Sequence, residues 1–329
     1  MRKIFFPLAI LLSFTLFTGC QKQAQTGSED SANNTKTITA TLKGGLQVSG
    51  VAAQSGTLRN SGIKKSSFEL LAYAIVRSGL SNELDNPRQA FTLFAPTDDA
   101  FTAAGLGTTQ AIDGVPVATL RAVLQYHGLG ARVLASQVPT TTTEITMLSG
   151  QKAYVVRRPG GVFINGTQVI AADIKAQNGV IHAINRVLFP PAGNIVEVAI
   201  ADPNFSYLVA AVVRANLAGA LSGSGPLTVF APTNQAFINA GFPTIEAINN
   251  ANPADLVPIL TYHVTAGRIF SSDLSNNQVV QMLNMKNTTI LLGNGAQIDG
   301  INSAPSNIIR TDIMATNGVI HVIDRVLLP

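Results

Sequence analysis

The chain has 329 residues, 46% of them hydrophobic and only 12% charged, with a formal net charge of +4, enough for two domains with well-filled cores. It has no tryptophan, 6% aromatic residues and no basic run longer than two, which excludes an aromatic stacking platform or a basic stripe for nucleic acid. Its one cysteine, Cys20, excludes an intramolecular disulfide and a cysteine-based metal site.

Residues 1–20 read as a targeting segment. Arg2 and Lys3 precede an apolar stretch from Ile4 to Phe17. That stretch is shorter than the ~20 residues that span a bilayer, as in a signal peptide. It ends Thr18-Gly19-Cys20, which resembles the cleavage box of bacterial lipoproteins, although Phe17 departs from the usual leucine. The resemblance implies a lipidated Cys20 holding the chain to a membrane. Gln21 follows Cys20 where inner-membrane retention would use Asp, so the expected location is the cell envelope, at the outer membrane. The alternative is a soluble secreted chain with a free thiol. Residues 21–36 are polar and without periodicity and read as a disordered tether. Residues 37–63 form an uncertain N-terminal extension. Ile38, Ala40 and Leu42 alternate as in a strand, but three glycines interrupt the stretch between Thr37 and Val51.

From there the chain says the same thing twice, in units placed at 64–190 and 191–329. Phe68, Leu71, Ala72, Ile75, Val76 and Leu80 follow helical spacing, as do Phe205, Leu208, Val209, Val212, Val213 and Leu217. Residues 91–101 and 227–237 then match at seven of eleven positions, each reading as a short strand stopped by Ala-Pro and a helix capped by Thr97 or Thr233. A second helical stretch carries Leu120, Val123, Leu124 and His127, or Leu256, Ile259, Leu260 and His263. Pro258 lies inside the later one and should kink or break it. Each stretch ends in Tyr-His, Tyr126-His127 and Tyr262-His263. The strongest echo closes each unit: residues 178–190 and 317–329 are identical at ten of thirteen positions, far above chance. Asn-Gly opens this segment as a turn, and apolar residues of both parities follow, as in a strand buried on both faces and closed by proline. His182 and His321 sit inside it.

Three linked motifs, Phe-Ala-Pro-Thr-(Asp/Asn)-x-Ala-Phe, Tyr-His and Asn-Gly-x-Ile-His-x-Ile-(Asp/Asn)-x-Val-Leu-x-Pro, occur in order in both units. Together they resemble the fasciclin domain over roughly Lys64 to Pro329. Asn185 stands where the pattern usually has Asp. The helix that usually opens the domain is visible as Ile195 to Ala201 in the second unit and is not assignable in the first. The resemblance implies an α+β fold, two tandem modules that are each a twisted antiparallel β-sandwich or wedge with several short helices. It implies adhesion and extracellular interaction instead of catalysis, with an extracellular protein or a polysaccharide as partner. In animal members an Asp-Ile pair before the last strand is associated with receptor binding. Here the pairs are Asp173-Ile174 and Asp312-Ile313; read from the residues alone, they are a turn aspartate beside a core isoleucine.

All four histidines, His127, His182, His263 and His321, fall in the repeated motifs. A metal or acid–base site would need a third ligand or a nucleophile at a fitting spacing, and none is motif-borne. The residues therefore point to buried imidazoles bridging backbone groups, with stability lost in mild acid. No phosphate loop, Gly-x-Ser-x-Gly elbow or His-Glu-x-x-His is present, so no cofactor, metal or catalytic residue is expected. Asn165-Gly-Thr167 and Asn287-Thr-Thr289 match glycosylation acceptors and read equally as turns. The alternative to adhesion is a carrier or sensor of a small apolar ligand, which a large apolar cavity would favour.

Overall fold

A computed structural model describes residues 36–46, 48–49, 65–293 and 295–329. Cys20 and nearly all of the polar stretch after it lie outside these residues. In module 1 a helical half comes first: α1 (Ile38–Lys43), the short paired strands β1 (Val48–Ser49) and β2 (Lys65–Ser66), α2 (Glu69–Arg77) and α3 (Ser81–Leu84). Strand β3 (Phe91–Pro96) leads into α4 (Asp98–Ala103), α5 (Thr109–Asp113), α6 (Val117–Gln125) and β4 (Gly128–Leu129). The rest is strand: β5 (Thr143–Thr146), β6 (Lys152–Arg158), β7 (Gly161–Ile164), β8 (Thr167–Ala176) and β9 (Gly179–Ile184).

Module 2 repeats the order. Its helices are α7 (Ile195–Ala201), α8 (Ser206–Arg214), α9 (Ala218–Leu221), α10 (Asn234–Asn239), α11 (Ile245–Asn249) and α12 (Pro253–Thr261). Its strands are β10 (Leu227–Pro232), β11 (Val264–Ala266), β12 (Gln278–Gln281), β13 (Asn287–Leu291), β14 (Gln297–Asp299), β15 (Ser306–Ala315) and β16 (Gly318–Ile323).

Each module is α+β, with one seven-stranded sheet in the order β4-β3-β9-β8-β7-β6-β5 or β11-β10-β16-β15-β14-β13-β12. The ladders are antiparallel with one exception: β3 runs parallel to β9, and β10 to β16. A parallel pair needs a long crossover, which the intervening helices and strands supply. The ten-residue strands β8 and β15 serve two partners each and bend at two register shifts.

Strands β9 and β16 are buried at all six positions. Alternation then sends Ile181 and Ala183 to the core under the helices, with Leu71, Ile75 and Phe101, and Ile184 to the core inside the sheet, with Phe94, Tyr126 and Val155. Both strands stop at Ile184 and Ile323, before the proline that the motif suggested as their end. The chain there leaves the ladder, and Thr97 and Thr233 N–H groups bond to the last strand carbonyls.

Two other sequence expectations change. Residues 38–43 are a helix, not an alternating strand: Thr37 accepts the Ala40 N–H as N-cap, and Ile38 and Leu42, one turn apart, enter the core. This is the opening helix of module 1. Helix α12 also continues through Pro258 without a break. The ring removes the N–H that would serve the Ala254 carbonyl, but Ala254 and Pro258 are both on the exposed side, where water can replace it.

Candidate functional site

The polar frame of each module is two imidazoles. His127 follows α6, is fully buried, and bonds the carbonyl of Val123 through Nδ1 at 2.8 Å. Its Nε2 accepts the Leu188 N–H at 2.9 Å. His263 does the same with Ile259 (2.8 Å) and Leu327 (2.9 Å). These rings tie the end of a helix to the last segment of the module. His182 and His321, inside the central strands, use the opposite tautomer. Nε2 donates to Val133 or Ile269 at 2.9 and 2.8 Å, and Nδ1 accepts the N–H of Asp173 or Asp312 at 3.2 and 3.4 Å. A carbonyl partner requires a ring N–H and an amide partner requires a lone pair, so all four rings must be neutral. Burial pushes His127 and His263 down to about 4, and lowers His182 and His321 as well.

Tyr126 and Tyr262, the C-caps just before the first histidines, are fully buried and donate their hydroxyls to the carbonyls of Lys152 and Asn287, both at 2.7 Å. Burial pushes the Tyr126 phenol up to about 12. Asn165, the first of the two acceptor asparagines, spends its amide inside: Oδ1 accepts the Tyr154 N–H and Nδ2 donates to the Tyr126 hydroxyl.

The second pair of histidines positions an aspartate. Asp173 and Asp312 stand in the bulges of β8 and β15 with φ of 60° and 63°, a conformation that Asp tolerates better than most residues. Asp312 is where the two modules meet. Its side chain is 1% exposed, accepts the Ser271 N–H at 2.7 Å and the Ser271 hydroxyl, and pairs with Arg186 of module 1 at 3.2 Å. Gly166 of module 1 (φ 75°) makes room for it, since a Cβ there would lie 2.5 Å from the Asp312 Cγ. Around this point Arg158 pairs with Asp273, the Arg268 guanidinium sits 4.5 Å from the centre of the Tyr154 ring, and Tyr154 and Phe270 rings lie 5.9 Å apart. Phe270, Met314 and Val319 form a small apolar core that Tyr154 closes. Beside the junction runs a cleft of about 860 Å³ between the modules, lined among others by Asn165, Arg186, Phe189, Ile309 and Arg310.

The structure therefore brings Tyr126 and Asn165 together in one module, and His321 and Asp312 together at the junction. It does not group the histidines with one another. Among the described residues no three His, Cys, Asp or Glu side chains are placed to share a metal ion. Ile174 and Ile313 pack against the helical cores and the Asp312 carboxylate is engaged inside the chain, while Asp173 accepts the Ala135 N–H at 2.8 Å. Sequence reasoning read Asn178 and Asn317 as turn residues only. Each accepts the first N–H of an opening helix (Ile38 at 3.1 Å, Ile195 at 2.9 Å) and donates to the last carbonyl of α3 or α9 and to the loop after it. Their place in the strongest repeated motif was the available signal. Tyr154, Phe270 and Ser271 carried no such signal, because the two modules use different residues there, and Gly166 reads as an ordinary turn glycine with Gly300 as its counterpart.

The fasciclin domain matches residues 66–190 and 203–329, and the chain belongs to the fasciclin domain family. The pig transforming growth factor-beta-induced protein ig-h3 is 29% identical over 252 residues, covering 76% of this chain and 36% of its own length. The chain thus spans about a third of the mammalian relatives it matches first. Protein sll1483 of Synechocystis sp. is 42% identical over 139 residues, 42% of this chain and 74% of that protein. The structure of a domain pair from the insect cell adhesion molecule fasciclin I aligns over 80% of this chain and 97% of its own, at 20% identity and a TM-score of 0.39.

Proposed function

We propose that this protein is a non-catalytic adhesion protein, exported and held in the cell envelope by lipid on Cys20, that binds an extracellular protein or polysaccharide through its paired modules. The observation that carries this reading is the junction. Two fasciclin modules are fixed to each other by the Arg186–Asp312 and Arg158–Asp273 pairs and by Arg268 on Tyr154, and a cleft of about 860 Å³ runs alongside. A cleft of that size, with the partly exposed guanidinium groups of Arg186 and Arg310 beside Phe189 and Ile309, suits a segment of a macromolecule better than a small reagent. The polar tether after Cys20 would hold the pair away from the membrane.

The test is a deletion strain. Loss of the protein should reduce aggregation, biofilm and surface attachment, and wild-type protein should restore them. Cys20→Ser should release the protein from the membrane fraction and fail to restore attachment. Attachment that is unchanged without the protein would overturn the adhesion reading; a membrane-bound Cys20→Ser protein would overturn the anchor.

A further inference from the structure

The two opening helices place different side chains in the core. Helix α1 sends in Ile38 and Leu42, and Thr39 bonds Asp85 through its N–H (3.2 Å) and its hydroxyl. Helix α7 has Ile195 and Ala199 at the matching positions, and Val196 and Ser222 where module 1 has Thr39 and Asp85. The atoms missing between Leu42 and Ala199 are not replaced by a neighbour. They leave a cavity of about 130 Å³ among α7, α8, α9 and α12, with Val229 and Val264 beneath it. Its lining is apolar throughout. His263 borders it, but both ring nitrogens are already bonded to Ile259 and Leu327. The cavity reaches the surface at Ile200 and Val213, which line it and are 63% and 65% exposed.

We propose that this cavity is a binding site for an uncharged hydrocarbon group, the size of a benzene ring or a short alkyl chain. A cavity of ~150 Å³ lined by aliphatic and aromatic side chains stays dry and takes benzene, and this one is close to that size. A polar or charged ligand would give up its water and meet no donor or acceptor inside. The opening at Ile200 and Val213 lets a chain enter by its end and leave a polar head in water. In module 1 the longer Leu42 stands in the core at the position of Ala199.

Benzene and 1-hexanol serve as probes, titrated into the whole chain and followed by the methyl NMR signals of Leu208, Val212 and Leu260 and by thermal melting. The benzene arm reads an enclosed group, and the hexanol arm reads a chain with its head outside. Saturable shifts of these methyls, with a raised melting temperature, are the expected result in at least one arm. Ala199→Leu, which copies module 1, should weaken that binding at least tenfold and raise the ligand-free melting temperature. Ala199→Val is the smaller substitution to use should the leucine not fold. The proposal is overturned by shifts that do not saturate in either arm, or by equal affinity in the filled variant.

Discussion

In module 2 the face that carries Phe270, Asp273 and Asp312 is covered; in module 1 the same face, with Leu134, Gln137 and Asp173, is open. Phe270 is 1% exposed and its counterpart Leu134 is 37% exposed. Both faces are built on the same frame, a buried histidine holding a positive-φ aspartate in a bulge. What differs is a handful of residues laid on that frame. Phe270 replaces Leu134, Ser271 replaces Ala135, and Asp273 replaces Gln137; on the other side Tyr154, Arg158 and Gly166 supply the match. The duplicated part of the sequence specifies the fold, and the diverged part specifies how the copies meet and where one of them is hollow.

If the frame is truly shared, matched substitutions should cost the two modules alike. His127→Ala and His263→Ala each strand the buried N–H of Leu188 or Leu327 and leave a ring-sized void, for an expected loss of roughly 3–5 kcal/mol. Denaturant unfolding should show similar losses, each in the module that carries the change; a large loss in one and none in the other would break the comparison. The next effect is acid. Unfolded imidazoles take up protons below a pH of about 6.5, whereas the folded His127 and His263 do so only near 4. Their contribution is therefore intact above about 6.5 and is lost as pH falls toward 4, by about 3 kcal/mol per ring at the end of that window. Melting curves from pH 7 to 4 should fall accordingly, and His127→Gln or His263→Gln should flatten the dependence. The smallest effect sharpens the contrast between the faces. Gly166→Ala places a Cβ at positive φ and against Asp312, for about 1–2 kcal/mol from the backbone alone. Limited proteolysis at the connector near Ala192 should then speed up, with the histidine-dependent acid profile unchanged.

Much of this architecture could be read from the residues, because a repeat shows which positions both copies keep. Apolar residues at both parities of residues 178–190 and 317–329 gave a strand buried on both faces, and β9 and β16 are such strands. The repetition also picked out the four histidines. It could not name their partners, which are backbone groups up to 64 residues away and leave no side-chain signature. Helix α1 was missed because it stands far upstream of α2 and is followed by three glycines that read as a loop; Thr37 with Ile38 and Leu42 one turn apart was the available signal. The junction was illegible for a different reason. Gly166 and Asp312 are distant in sequence, and a glycine that makes room for another module looks like any turn glycine.

The sheet order has one more consequence. In both modules the strand that sits between the two halves of the sheet, β9 or β16, is the last one in the chain, pairing with β3 and β8 or with β10 and β15. While a module is being synthesised, its two half-sheets must wait side by side without the piece that joins them. Closure is then a late, long-range event, of the kind that makes a domain fold slowly and leaves strand edges uncovered until it is done.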